Sequence, residues 1–114
     1  MTLKEAEQKI GLTVVTAKEH TSREITGGYS SDLLSDVLAN ASEGNIWITM
    51  QSHLNIVAVA VMKGISAIII VNGRKPDEQT ISKANQEKMP IMLSTLPAFE
   101  VIGRLYSAGV RGIR

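Results

Sequence analysis

His53 is the side chain in this sequence best suited to proton transfer, because a neutral imidazole titrates near pH 7. It closes a polar stretch, Thr49-Met50-Gln51-Ser52-His53, that follows an apolar run. No nucleophile or orienting carboxylate has a recognisable spacing to it, so a loop histidine making a hydrogen bond is the simpler reading. The other histidine, His20, lies in the polar segment 18–23. Two histidines without local partners do not make a metal site. The chain has no cysteine, which removes disulfides, thiol catalysis and thiolate metal sites together.

Three other stretches share this polar or glycine-bearing character: Ile25-Thr26-Gly27-Gly28-Tyr29, Asn72-Gly73-Arg74-Lys75, and Ser94-Thr95. Glycines ahead of a helix can cradle a phosphate on free N–H groups. They can also simply turn the chain, as Asn-Gly and Gly-Gly do. Ser, Thr and Asp are ordinary helix caps. The stretch TGGYSS lacks the lysine of a P-loop, and GGYSSD is not a dinucleotide-binding fingerprint. Singly, each stretch reads as structural. Together they gain weight if they lie at strand ends, because loops at the carboxyl ends of an open α/β sheet converge on one edge.

The surrounding pattern predicts that arrangement. Thr2 and Glu5 form a capping box for a helix to about residue 9, closed by Gly11. Residues 12–17 are short, β-branched and apolar, and read as a strand. A short extended piece follows at 24–26. Ser31 or Asp32 can cap a helix whose apolar face is Leu33, Leu34, Val37 and Leu38. Residues 45–50 and 65–71 read as strands, the second apolar enough to be buried on both faces. Between them a buried helix, capped by Asn55 and ended by Gly64, supplies the crossover that parallel neighbours need. Pro76, Asp77 and Glu78 open a helix to about residue 88. Pro90 starts the extended piece 91–95. A last helix, about 97–107, presents Phe99, Ile102, Leu105 and Tyr106 as its apolar face. Gly109 ends it, and 109–114 reads as a loose tail. Strands alternating with helices predict a single compact α/β domain over 1–114, a mainly parallel sheet flanked by helices.

Composition narrows the function classes. With 12 basic and 11 acidic residues in 114, the net charge is +1. That argues against a nucleic-acid footprint, which needs clustered positive charge, and leaves room for one small anionic ligand. The apolar stretch 56–71 is broken by Lys63, Gly64 and Ser66 and falls short of the roughly 20 residues of a membrane span. The charged N-terminus is not an apolar signal region. A soluble cytoplasmic protein is expected.

The arrangement of loops and elements resembles the DRTGG domain family, related to the N-terminal domain of HPr kinase. The resemblance runs from about residue 24 to 106, and its strongest pieces are GGYSSDLLSDVL, IWITMQSHLNIVAVAV, AIIIVNGRKPDEQTISKANQEKMPIMLST and FEVIGRLY. It is greatest to small stand-alone members, often encoded near iron–iron hydrogenase or other redox-complex genes. It implies a compact HPr-kinase-N-terminal-like α/β module, regulatory or architectural and without catalysis or cofactor of its own. In larger relatives such a module accompanies CBS domains in regulated pyrophosphatases, or precedes the catalytic part of phosphotransacetylases. Where the family carries its Asp-Arg pair, this chain reads Gln51-Ser52-His53-Leu54-Asn55, with neither residue.

Three functions follow as expectations. The first is a non-enzymatic regulatory or interaction module, a homodimer, with a partner protein in a redox complex. The second is a sensor of an adenine nucleotide or other small anion at the strand-end loops. Its site would draw on Gly27, Gly28, Thr49, Gln51, Ser52, His53, Asn55, Asn72, Gly73 and Thr95. The third is an enzyme using His53 as acid or base.

Overall fold

The structure, a computed structural model, describes residues 1–112. Its strands are β1 (Thr13–Val14), β2 (Gly27–Ser30), β3 (Asn45–Thr49), β4 (Ala67–Ile70) and β5 (Ile91–Leu93). Its helices are α1 (Leu3–Ile10), α2 (Leu34–Asn40), α3 (Asn55–Lys63), α4 (Glu78–Gln86) and α5 (Ala98–Ser107). The strands form one sheet in the order β1-β5-β4-β3-β2. Four of them run parallel, and β1 joins β5 antiparallel. The expected α/β domain with a mainly parallel sheet is therefore observed.

The chain steps from β2 to β5 in one direction across the sheet. Crossovers of a single hand then place α2, α3 and α4 on the same face. Their side chains, Val37, Ile56, Val57, Ala60 and Ala84, pack on Trp47, Ile68, Ile70 and Ile91. The opposite face packs Ile46, Ile48, Ile69 and Met92 against Leu3 and Ala6 of α1 and Val101 and Leu105 of α5. Both β3 and β4 are buried at every position, which is why β4 reads as an unbroken apolar run; the polar ends of β3, Asn45 and Thr49, are buried with hydrogen bonds. Trp47 is fully buried and its Nε1 donates to Ser31 O at 2.9 Å. An indole removes roughly 150–250 Å² from water, about 4–6 kcal/mol at ~25 cal/mol per Å². An unpaired buried N–H would cancel about 1–3 kcal/mol of this, so the Ser31 carbonyl matters to the core.

The ends of α1 and α3 show the expected chemistry. Thr2 and Glu5 complete the capping box, and Gly11 and Gly64 take φ of +74° and +63° as left-handed caps. Four local expectations are corrected. The strand expected over 12–17 is only Thr13–Val14. Beyond it Thr16, 1% exposed, bonds through its hydroxyl to the chain entering β5, donating to Met89 O and accepting from Ile91 N, each at 2.7 Å. Ala17 then turns at φ +47° into the short 3-10 turn Lys18–His20. The extended piece expected at 24–26 lies later in the chain, as β2, so Gly27 and Gly28 are strand residues. Neither Ser31, Asp32 nor Asn55 is a cap: Leu33 and Leu54 hold those positions, without side-chain capping bonds.

The fourth correction lies in α5 and the segment after it. Val101 and Leu105 are buried, whereas Phe99 is 89%, Ile102 37% and Tyr106 56% exposed. The helix is apolar on two sides, and periodicity alone does not say which side packs. The inner stripe combines small Ala98 with Val101 and Leu105, and it fits beneath α1. The segment after α5 is held where it is described. Val110 is in the core, and Arg111 O accepts a hydrogen bond from Gly28 N at 2.9 Å. The remainder of the expected loose tail, 113–114, lies outside the described residues.

Candidate ligand site at the carboxyl edge of the sheet

The parallel strands end together on one edge. In register, Ser30 pairs with Ile48, Thr49 with Ile70, and Ile70 with Leu93. This edge, with the last residue of β3, the loops and the first residue of α3, carries eight of the ten residues the sequence singles out: Thr49, Gln51, Ser52, His53, Asn55, Asn72, Gly73 and Thr95.

Gly27 and Gly28 do not join them. Gly27 pairs with Asn45, the first residue of β3, so the glycines lie at the amino edge. They are the first two of the four residues of β2, so they lie about 7–10 Å from its carboxyl end at ~3.3 Å per residue. Their role there is close approach. A Cβ on Gly27 would sit 2.8 Å from Arg111 O, and one on Gly28 would sit 3.4 Å from Val110 Cγ1. The two glycines let the segment after α5 lie along the outer edge of β2, and the phosphate-cradle reading of this stretch is set aside.

At the carboxyl edge the central device is Asp32, which leaves β2 and crosses to the loop after β3. Its Oδ1 accepts from Thr49 Oγ1 at 2.8 Å and from Met50 N at 2.7 Å. Its main-chain O accepts from Gln51 Nε2 at 2.9 Å. Thr49, 2% exposed, also accepts from Gln51 N at 3.1 Å. Thr49 and Gln51 thus hold the shape of the loop. The sequence shows Asp32 only as one of several capping residues. A contact between positions 32 and 49 leaves no mark in local periodicity.

The next device joins β3 to α4. Asp77 caps α4, its Oδ1 accepting from Thr80 N at 2.9 Å and Thr80 Oγ1 at 2.7 Å. Its Oδ2 lies 3.2 Å from His53 Nδ1. The Thr80 hydroxyl hydrogen is shared with Ser52 O at 3.1 Å, which ties the loop to the helix. The Thr80 hydroxyl and amide, and then His53, hold the Asp77 carboxyl below the ordinary carboxylate range. His53 therefore has the orienting carboxylate that local spacing hides, 24 residues away. No hydroxyl hydrogen-bonds its Nε2 among the described residues, and the dyad serves as a clasp between loop and helix cap. Asn55, exposed at the first position of α3, stands beside this clasp without a side-chain hydrogen bond among the described residues.

Asn72 and Gly73 turn at φ +66° and +71°. Their amides donate to Leu96 O at 2.8 Å and Ser94 O at 3.0 Å, binding the β4 and β5 loops together. Thr95 is exposed beside them. At the other end of the edge, Tyr29 Oη donates to Asp36 Oδ2 at 2.8 Å, and Asn40 donates to Asp36 Oδ1 at 2.8 Å. The Tyr29 hydrogen bond, then those of Asn40 and Ser31, lower the Asp36 pKa, and the same carboxylate raises that of Tyr29.

A mainly parallel sheet with helices on both faces and polar loops gathered at its carboxyl edge defines an open α/β module. The chain belongs to the DRTGG domain family, whose model matches residues 8–108. No curated protein matches the chain. Among solved structures it is similar to the CBS and DRTGG domains of the regulatory region of Clostridium perfringens pyrophosphatase, crystallised with the activator diadenosine tetraphosphate. That likeness has a TM-score of 0.75 at 15% identity and covers 91% of this chain. The chain spans 45% of the length of that structure, so the likeness is one of fold. Among the described residues, no helix is long and apolar enough to cross a membrane.

Proposed function

We propose that this chain is a non-catalytic regulatory and interaction module that works in the cytoplasm as a homodimer. The observation that carries the reading is the outer stripe of α5. Phe99, Ile102 and Tyr106 recur at helical spacing and are turned away from the core. Single exposed apolar residues are normal, but a rimmed apolar stripe marks an interaction surface. Here the rim includes Glu100 and Arg104, which pair with each other at 3.7 Å on the same helix. Arg111 adds a flat cationic cover at the far end, 4.0 Å above the Tyr106 ring. An aromatic-rich stripe of this kind suits a second copy packed about a two-fold axis. We further propose a redox complex, of the hydrogenase type, as the system in which such a module acts.

Paired substitutions test the reading. Phe99→Asp and Ile102→Asp should convert a dimer to a monomer with an unchanged circular dichroism spectrum. Variants that keep the wild-type mass would remove the stripe from the account.

A second reading is favoured by the carboxyl edge itself: a small-molecule sensor that binds an adenine nucleotide or another anion there. The pyrophosphatase regulatory region, crystallised with diadenosine tetraphosphate, supports a regulatory setting in which nucleotides act. Calorimetry against adenine nucleotides tests it, and the absence of heat with any of them would count against it.

A further inference from the structure

The loops after β4 and β5 leave for opposite faces of the sheet. The chain after β4 goes to α4, which packs with α3 on one face, and the chain after β5 goes to α5, which packs with α1 on the other. The carboxyl ends of β4 and β5 are therefore the switch point of this sheet, where open α/β folds form a crevice. Hydrogen bonds from Asn72 and Gly73 to the 94–96 loop close that crevice directly above the strands. It stays open on the α4 side. There the three helices α2, α3 and α4 cover the sheet from β2 onward and leave its β5–β1 edge bare. The result is a cleft of about 500 Å³, within the ~300–1,000 Å³ of small-molecule sites.

Its surroundings have two characters. Val15 and Leu93, half-buried on the sheet, and Ile81 of α4 give aliphatic walls. Arg74, Lys75 and Thr95 line the same cleft and are exposed. None of these three side chains makes a hydrogen bond or ion pair among the described residues. An exposed lysine or arginine alone is only a solvated charge. Two adjacent unpaired cations beside an apolar floor that the fold leaves uncovered are a different arrangement. They complement an anion that carries an apolar body.

We propose that this cleft binds an amphiphilic organic anion of nucleotide size, its anionic head on Arg74 and Lys75 and its body on Val15, Ile81 and Leu93. The inference rests on the sensing reading and moves its centre from the His53 loop to the β4–β5 switch point. The head alone forgoes the apolar walls, and the body alone leaves both cations unanswered, so neither part binds as the whole does.

The test is calorimetry on the whole chain with four probes. ADP has a head and a purine body, octanoate a head and an aliphatic body, pyrophosphate only a head, and adenosine only a body. ADP or octanoate should bind, and the one that does names the body. Pyrophosphate and adenosine should bind at least about tenfold more weakly than that probe, a difference of ~1.4 kcal/mol. The double variant Arg74→Ala/Lys75→Ala should lose at least about tenfold in affinity for it, ~1.4 kcal/mol, with its melting curve unchanged. ADP binding that survives this double substitution would overturn the cleft and leave the sensing reading standing. Pyrophosphate binding as tightly as ADP would also overturn it, since loop charge would then suffice. If neither ADP nor octanoate binds at millimolar concentration, the cleft and the sensing reading fall together.

Discussion

Gly28 N donates a hydrogen bond to Arg111 O at 2.9 Å, and this contact places the segment after α5 along the open edge of β2. An uncovered edge strand is a template for unwanted pairing. Covering it this closely requires that no side chain intervene. Gly27→Ala would put a Cβ 2.8 Å from the main-chain oxygen of Arg111, which has no flexible end to move aside. Overpacking of this kind costs about 1–3 kcal/mol. The variant should lose that much in urea unfolding and show faster amide exchange at Gly28. Unchanged stability would mean that the 110–112 segment does not lie where the structure has it.

Asp32 should matter to stability more than an exposed acidic residue ordinarily does. Asp32→Ala leaves the Thr49 hydroxyl and Met50 amide without their carboxylate acceptor. Hydrogen bonds to a charged acceptor are worth about 1.5–3 kcal/mol each, although one solvated acceptor serves both here. A total loss of roughly 1–3 kcal/mol is expected on that scale. Asp32→Asn keeps an Oδ1 acceptor and should lose less than half as much. Equal losses for the two variants would contradict this role of Asp32 Oδ1 as acceptor for Thr49 and Met50.

The Tyr29–Asp36 pair predicts a pH signature at both extremes. The folded pKa of Asp36 is lowered, so its contribution to stability is complete above the ordinary carboxylate value of ~3.9 and is lost as pH falls through the folded value. That of Tyr29 is raised, so its contribution is complete below ~10 and is lost as pH rises through the folded value. Asp77 behaves as Asp36 does. Melting temperature should fall as pH drops below about 4 and as it rises above about 10. Tyr29→Phe should flatten both limbs, and a steeper fall in either limb would contradict the pairing.

The contrast between what local patterning reveals and what it hides is physical. The capping box of Thr2 and Glu5, the buried runs of β3 and β4, and the caps at Gly11 and Gly64 depend on residues close together in the chain. All are legible, and the α/β fold rests on them. The role of Gly27 and Gly28 depends on Arg111, more than 80 residues on, and no local rule carries it. Asp32 with Thr49 and His53 with Asp77 are contacts of the same long-range kind. For α5 the signal was present but double: two apolar stripes share one helix, and only the packing against α1 selects Val101 and Leu105. The stripe containing Phe99 then acquires its meaning from remaining outside.

Sedimentation equilibrium on the wild-type chain tests the central claim most directly. The interaction-module account predicts a mass about twice the 12.3 kDa of one chain at micromolar concentration. A mass of one chain persisting to several hundred micromolar would contradict it.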